Sequence, residues 1–290
     1  MRQCSAILLI AVVSLFATSC IRSSMVVEVK KDGSGSILSR YYFSPQMLAL
    51  IDQLGALPQL EGAGQQGPDL GMIKELAKPD KESLEADEKN LGEGVRYVKH
   101  EAGKDADGWE GYVVTYEFDD ISKVHINQKS VPGKAKELAE SAGEDLEANK
   151  GGQVTFSKEG DVLTIHTTLA EGSMDEFVDQ DQLDQAKQMG MKPSQAIQMA
   201  AGMSDGMRVG MFVRIDGGIA ETNAEHVTGN LIILTEADVT KVLSDPDFAQ
   251  FVDRVADDPD GIEDGEIQEL FGKLEAMTLE TSDTVTVRFQ

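Results

Sequence analysis

Short β-branched runs closed by an acidic residue and glycine recur along this 290-residue chain, and they limit its folding choices more than any other feature. Met25–Lys31 is followed by Asp32-Gly33-Ser34-Gly35 and then by Ser36–Phe43. Alternating side chains suit a pleated strand with one buried face, and glycine reaches the positive φ that tight turns need, so the pattern predicts a β-hairpin. Gln153–Lys158 and Asp161–Thr168 around Glu159-Gly160 predict a second hairpin, and Met207–Ile215 with Ile219–Thr222 around Asp216-Gly217-Gly218 a third. Gly94–Glu101, Gly111–Phe118, Gly229–Thr235 and Thr284–Phe289 add further strands, the last expected in the sheet of the early hairpins. Hairpins build antiparallel sheets. The expected class is therefore α+β, a mainly antiparallel, hairpin-built sheet packed against several helices. Val29-Lys30-Lys31-Asp32-Gly33 parallels Val213-Arg214-Ile215-Asp216-Gly217, which also admits two similar halves.

Helix signals lie between these strands. Ser44 followed by Pro45 supplies an N-cap and a first-turn proline, and Met47, Leu50, Ile51 and Leu54 repeat at helical spacing. Gly55–Pro68 reads as a glycine-rich loop, Leu70–Ala77 as a short helix, and Pro79–Asn90 as a charged, solvated one. Capping-box patterns at Ser173–Glu176 and Thr235–Asp238 predict two more helix starts, and Ser194–Met203 reads as a further helix. Asp245-Pro246 opens another running to Val255, and Ile267, Leu270, Phe271, Leu274 and Met277 form a helical stripe.

The N-terminus carries an address. Met1-Arg2-Gln3 precedes an uncharged apolar run that ends in small residues, the layout of a secretory signal peptide. Phe16-Ala17-Thr18-Ser19-Cys20 resembles the lipobox of bacterial lipoproteins, with Ala17 where that family usually has leucine. The resemblance implies that the Cys20 sulfur is acylated by a diacylglycerol group and that Cys20 becomes the first residue after cleavage. An uncleaved membrane anchor is the other reading, since Gln3–Ile21 is close to the roughly 20 residues that span a bilayer. The expected organisation is a signal peptide over 1–19, a lipidated tether over 20–24, an α+β half over 25–127, a linker over 128–152 and a second α+β half over 153–290. The two halves are expected to form one composite domain. The expected location is the cell envelope, on the outer membrane or the periplasmic face, attached through the Cys20 lipid.

Composition narrows the partners. Fifty-one carboxylates against 26 lysines and arginines give a net charge of -25, which repels nucleic acid and anionic headgroups. Cys4 and Cys20 are the only cysteines, and neither is expected to be a free thiol in the mature chain, leaving no disulfide or thiolate site. His100, His125, His166 and His226 are scattered without metal-ligand spacing, and no G-x-S-x-G occurs. Asp257–Glu266 invites a calcium loop, but neither glycine register places oxygen ligands where an EF-hand needs them. No cofactor, metal or catalytic residue is assigned.

The segment Val26–Ile37 close behind Cys20, with Gly218–Asn223 and Val227–Asn230 before an apolar strand, also resembles the LppM-type domain of bacterial lipoproteins. That resemblance implies an α+β fold and binding of an amphipathic molecule. The function expected is a non-catalytic binding or scaffold role with an envelope protein as partner. A carrier of a lipid or hydrophobic ligand is the alternative, and an envelope hydrolase the third. For the carrier, six methionines fall between Met189 and Met211, and soft, unbranched side chains suit apolar ligands of varied shape. Met189, Met199, Met203, Met207 and the lone Trp109 are the candidate ligand-binding residues, with core packing as the competing role.

Overall fold

A computed structural model describes residues 21–55, 77–127, 152–168, 190–203, 206–258 and 265–290. The N-terminal run with Cys20, most of the 55–68 loop, the Leu70–Ala77 helix up to residue 76, nearly all of the 128–152 linker, the Ser173 capping box, Met189 and most of the Asp257–Glu266 loop lie outside the described residues.

The expected class holds: the chain is α+β with largely antiparallel sheets. Strands β1 (Ile21–Val29), β2 (Gly35–Phe43), β3 (Arg96–Lys104), β4 (Glu110–Phe118), β8 (Arg208–Ile215), β10 (Val227–Thr228), β11 (Leu231–Asp238) and β12 (Met277–Leu279) form an eight-stranded sheet. Its order is β10-β11-β8-β1-β2-β4-β3, with β12 also on β11. Strands β5 (His125–Asn127), β6 (Gln153–Glu159), β7 (Val162–Thr167), β9 (Ile219–Thr222) and β13 (Thr284–Phe289) form a five-stranded sheet in the order β5-β6-β7-β13-β9. Every pairing in both sheets is antiparallel except β1 with β8.

The inward residues of the two sheets make one core. Val27, Val29, Ile37, Val114, Val213 and Ile215 from the larger sheet cluster with Val154, Leu163, Ile165, Val285 and Val287 from the smaller. The alternation seen in the sequence supplies these residues. Strand β13 buries Val285, Val287 and Phe289 and exposes Thr284, Thr286 and Arg288.

Three expected connections are built differently. First, β8 and β9 do not form a hairpin. Both edges of β8 are occupied, by β1 and β11, so the chain turns at Asp216–Gly218 and crosses to the five-stranded sheet, where β9 pairs with β13. Gly217 and Gly218 permit that crossing with φ of 82° and 100°. Second, β13 joins the five-stranded sheet, not the sheet of β1 and β2. Third, the segment after the N-terminal run is already sheet: β1 begins at Ile21, and Ile21–Ser24 pair with Phe43–Arg40.

Helix α1 (Pro45–Gly55) starts as expected, with the Ser44 Oγ accepting from the Met47 N–H at 3.1 Å. The segment expected to be a solvated helix is α2 (Lys81–Ala86) followed by α3 (Glu88–Leu91), and it buries Leu84, Asp87 and Leu91. Helix α4 (Pro193–Met203) begins with Pro193 in its first turn. The capping box at Thr235 is absent, because β11 runs on to Asp238; Asp238 itself caps α5 (Val239–Ser244), accepting from the Lys241 N–H. Asp245 caps α6 (Pro246–Asp257), whose Phe248, Phe251, Val252 and Val255 meet Leu270 and Phe271 of α7 (Glu266–Lys273) in a second core. Met277, expected at the end of the α7 stripe, lies in β12.

Candidate functional site

Among the described residues, a cavity lies between the larger sheet and α2–α3. On the sheet side, β2 and β4 pair in a register that sets Tyr41 opposite Tyr112 and Ser39 opposite Val114. Tyr112, Val114, Tyr116 and Phe118 alternate along β4 and so face the same way, all buried. The Tyr41 and Tyr112 rings are 5.4 Å apart and tilted by 32°. Gly111 permits this approach of β4 to β2, since a Cβ there would stand 2.0 Å from the Tyr41 carbonyl oxygen.

The facing wall is the break between α2 and α3. Asp80 caps α2 through the Ser83 N–H at 2.8 Å, and the Tyr116 hydroxyl donates to the Leu84 carbonyl at 3.1 Å. The Glu88 carboxylate accepts from the Tyr97 N–H at 2.7 Å, tying α3 to β3. These ties hold Asp87, only 7% exposed, against the sheet. The cavity they enclose holds about 30 Å³ and is lined by Met25, Ser39, Tyr41, Leu84, Asp87, Asn90, Leu91, Tyr112, Val114, Tyr116, Ile126 and Asn127.

Its electrostatics are negative. Burial, together with the Asp87 charge, pushes the Tyr41 hydroxyl up to about 12. Burial also raises Tyr112 and Tyr116 well above the ordinary phenol range, and Asp87 adds to both. All three phenols therefore stay protonated at neutral pH. The site offers neutral hydroxyls, aromatic surface and a carboxylate.

Of the residues expected to bind ligand, Trp109 and Met207 have described side chains. Trp109 is 5% exposed at the exit of the β3–β4 turn, where the Arg22 guanidinium lies 4.2 Å from its ring centre. Arg22 is held there by the Gly206 carbonyl at 2.7 Å and by Asp105 and Asp107 at 2.8 and 2.6 Å. Met207 is half-buried just before β8, and Met199 and Met203 lie on α4 with side chains outside the described set. Neither Trp109 nor Met207 lines the cavity. Drug-sized ligands occupy pockets of roughly 300–1,000 Å³, so a cavity of about 30 Å³ does not admit an acyl chain. The sequence reading missed Tyr41, Asp87, Tyr112 and Tyr116. The alternation of Tyr112, Val114, Tyr116 and Phe118 was the available signal for one wall.

His100 accepts or donates at 2.7 Å to the Tyr97 hydroxyl, and His166 lies 3.4 Å from the Thr284 hydroxyl. Among the described residues, no group of three or more His, Cys, Asp or Glu side chains could hold a metal, and no helix is long and apolar enough to cross a membrane.

No family model matches the chain, and no curated protein matches it. Among solved structures, the folded domain of LppM from Mycobacterium tuberculosis, determined by NMR, is similar to it. The likeness covers 74% of this chain and 80% of that one at 12% identity, with a TM-score of 0.28. Similarity at that level does not establish a shared fold.

Proposed function

We propose that this chain is a bacterial envelope protein held at the membrane by acyl chains on Cys20, with a non-catalytic binding role. The observation that carries the reading is the uncharged run ending in Phe16-Ala17-Thr18-Ser19-Cys20, followed at once by a folded strand from Ile21. With β1 starting there, acyl chains on Cys20 would bring the Ile21 end of the larger sheet to the bilayer surface. One myristoyl-sized chain holds a protein only marginally, whereas two or more hold it stably at about 0.8 kcal/mol per buried CH₂. An acidic protein needs the stronger attachment, because its net charge of -25 offers no attraction to anionic lipid.

The test is the mass and partition of the mature chain. Acylation predicts an N-terminal Cys20 carrying diacylglycerol and recovery in the membrane fraction. Cys20→Ser moves the protein out of that fraction or leaves it as the uncleaved precursor. An unmodified Cys20 in the mature chain contradicts the reading.

A further inference from the structure

The outer face of the larger sheet, turned away from the five-stranded sheet, is apolar where a solvated face would be polar. We propose that it is a homodimer interface: a second copy of this chain packs on it face to face, with Arg40 of each copy reaching Glu117 of the other. This goes beyond the binding role proposed above and stands whether or not Cys20 carries lipid.

Alternation fixes which residues face outward. Val27, Ile37 and Val213 lie in the core, so their strand neighbours Val26, Leu38 and Phe212 point the other way. The pairing register sets Ile233, Phe212, Val26 and Leu38 side by side in one row across β11, β8, β1 and β2. Val26 is buried and the other three are half-buried, yet none belongs to a core cluster. Strand β13, by contrast, turns Thr284, Thr286 and Arg288 outward. The Phe212 ring lies flat along its own strand, over Gly210, where a Cβ would stand 2.6 Å from it. A flat apolar floor of this kind suits a second sheet packed about 10 Å away.

Charge identifies the occupant. Among the described residues, every arginine forms an ion pair except Arg40, which is half-buried near the middle of this face beside Leu38. A second copy supplies its carboxylate by symmetry. A two-fold axis laid along the Ile233–Phe212–Val26–Leu38 row packs that row on itself and exchanges the rows on either side of it. Arg40 then stands over Ser36 of the second copy, whose neighbours across β1 and β4 are Glu28 and Glu117. Adjacent strands are about 4.8 Å apart, within reach of an arginine side chain. Glu28 already pairs with Arg214 at 3.6 Å. Glu117 is exposed and forms no ion pair among the described residues; Arg96 opposite it on β3 binds Asp119. Glu117 is therefore the carboxylate with capacity for Arg40, and the symmetry forms the pair twice. The six strands from β11 to β3 give a face of roughly 700 Å², close to the roughly 800 Å² per partner of a standard stable interface.

The test is the mass of the full chain, purified in detergent with micelles in excess over protein, by sedimentation equilibrium over a dilution series. Two chains per particle are expected, dissociating reversibly on dilution. Arg40→Glu sets like charges against each other at both symmetric contacts and should raise the dissociation constant about tenfold or more. Adding Glu117→Arg to Arg40→Glu restores opposite charges and should recover the association, which damage to the fold alone would not allow. Leu38→Lys, in the apolar row, should also give single chains and serves as the second variant if Arg40→Glu misfolds. A cooperative thermal transition shows that each variant is folded. One chain per particle at every concentration overturns the proposal and leaves the face to another occupant. A dimer unchanged in both single variants also overturns it, because the contact then lies elsewhere or in the acyl chains. So does a loss in Arg40→Glu that Glu117→Arg fails to recover.

Discussion

Two buried carboxylates in this protein are handled in opposite ways. Glu280, fully buried, accepts the Glu225 N–H at 2.8 Å and the Ser282 N–H at 3.2 Å, while its own N–H donates to the Leu234 carbonyl. Both carboxylate oxygens are used by backbone, and they join the β9–β10 connection to the β12–β13 connection. Asp87 instead lines a cavity walled by tyrosines, where Asn90 Nδ2 donates to it at 3.4 Å. Charge held by backbone N–H groups acts as a staple between connections; charge held beside buried phenols opposes their ionisation.

If Glu280 is the staple, its removal should have the largest effect. Glu280→Ala leaves two partly buried backbone donors without the carboxylate, so urea denaturation should show a loss of roughly 1–3 kcal/mol. A loss under about 1 kcal/mol would place the staple elsewhere.

Alkaline pH tests the other region. Tyr41, Tyr112 and Tyr116 keep their protons in the fold at pH values where the unfolded chain has released them. The folded state then binds more protons, so stability falls as pH rises above about 10, by about 1.4 kcal/mol per pH unit for each such phenol. The Tyr41 share of that loss ends near its folded value of about 12. Phenolate absorbance should therefore show two of the five tyrosines, Tyr112 and Tyr116, ionising only as the protein unfolds, and Tyr41 ionising above the ordinary phenol range.

A smaller effect is expected at the Ile21 end. Arg22→Ala removes the cover over Trp109 and the pairs to Asp105 and Asp107, costing about 1–2 kcal/mol. Trp109 emission should shift to the red as water reaches the ring. Asp87→Asn should change stability least, by under about 1 kcal/mol, because the exchange preserves shape and relieves a buried charge.

The difference between the two carboxylates also explains what could be read from the sequence. Strand β13 occupies Thr284–Phe289 as its alternation predicts, and Ser44-Pro45 and Asp245-Pro246 both open helices, because those signals are local. The Asp216–Gly218 turn looked like a hairpin turn, yet its outcome depends on β1 and β11 having taken both edges of β8. The β4 tyrosines share a face by alternation. Asp87 sits in a charged stretch, and its burial arises from the α2–α3 break folding onto β3 and β5. Glu280 has no local signal either, since Leu279-Glu280-Thr281-Ser282 reads as a polar turn until Glu225 is brought to it.

The comparison is tested most directly by urea denaturation of wild type, Asp87→Asn and Glu280→Gln at neutral pH and again above the ordinary phenol range. The wild type and Glu280→Gln should both lose stability between the two pH values, from different starting points, and Asp87→Asn should lose less, because the Asp87 charge no longer opposes ionisation of Tyr41, Tyr112 and Tyr116. Equal losses in all three proteins would contradict a coupling of Asp87 to the phenols.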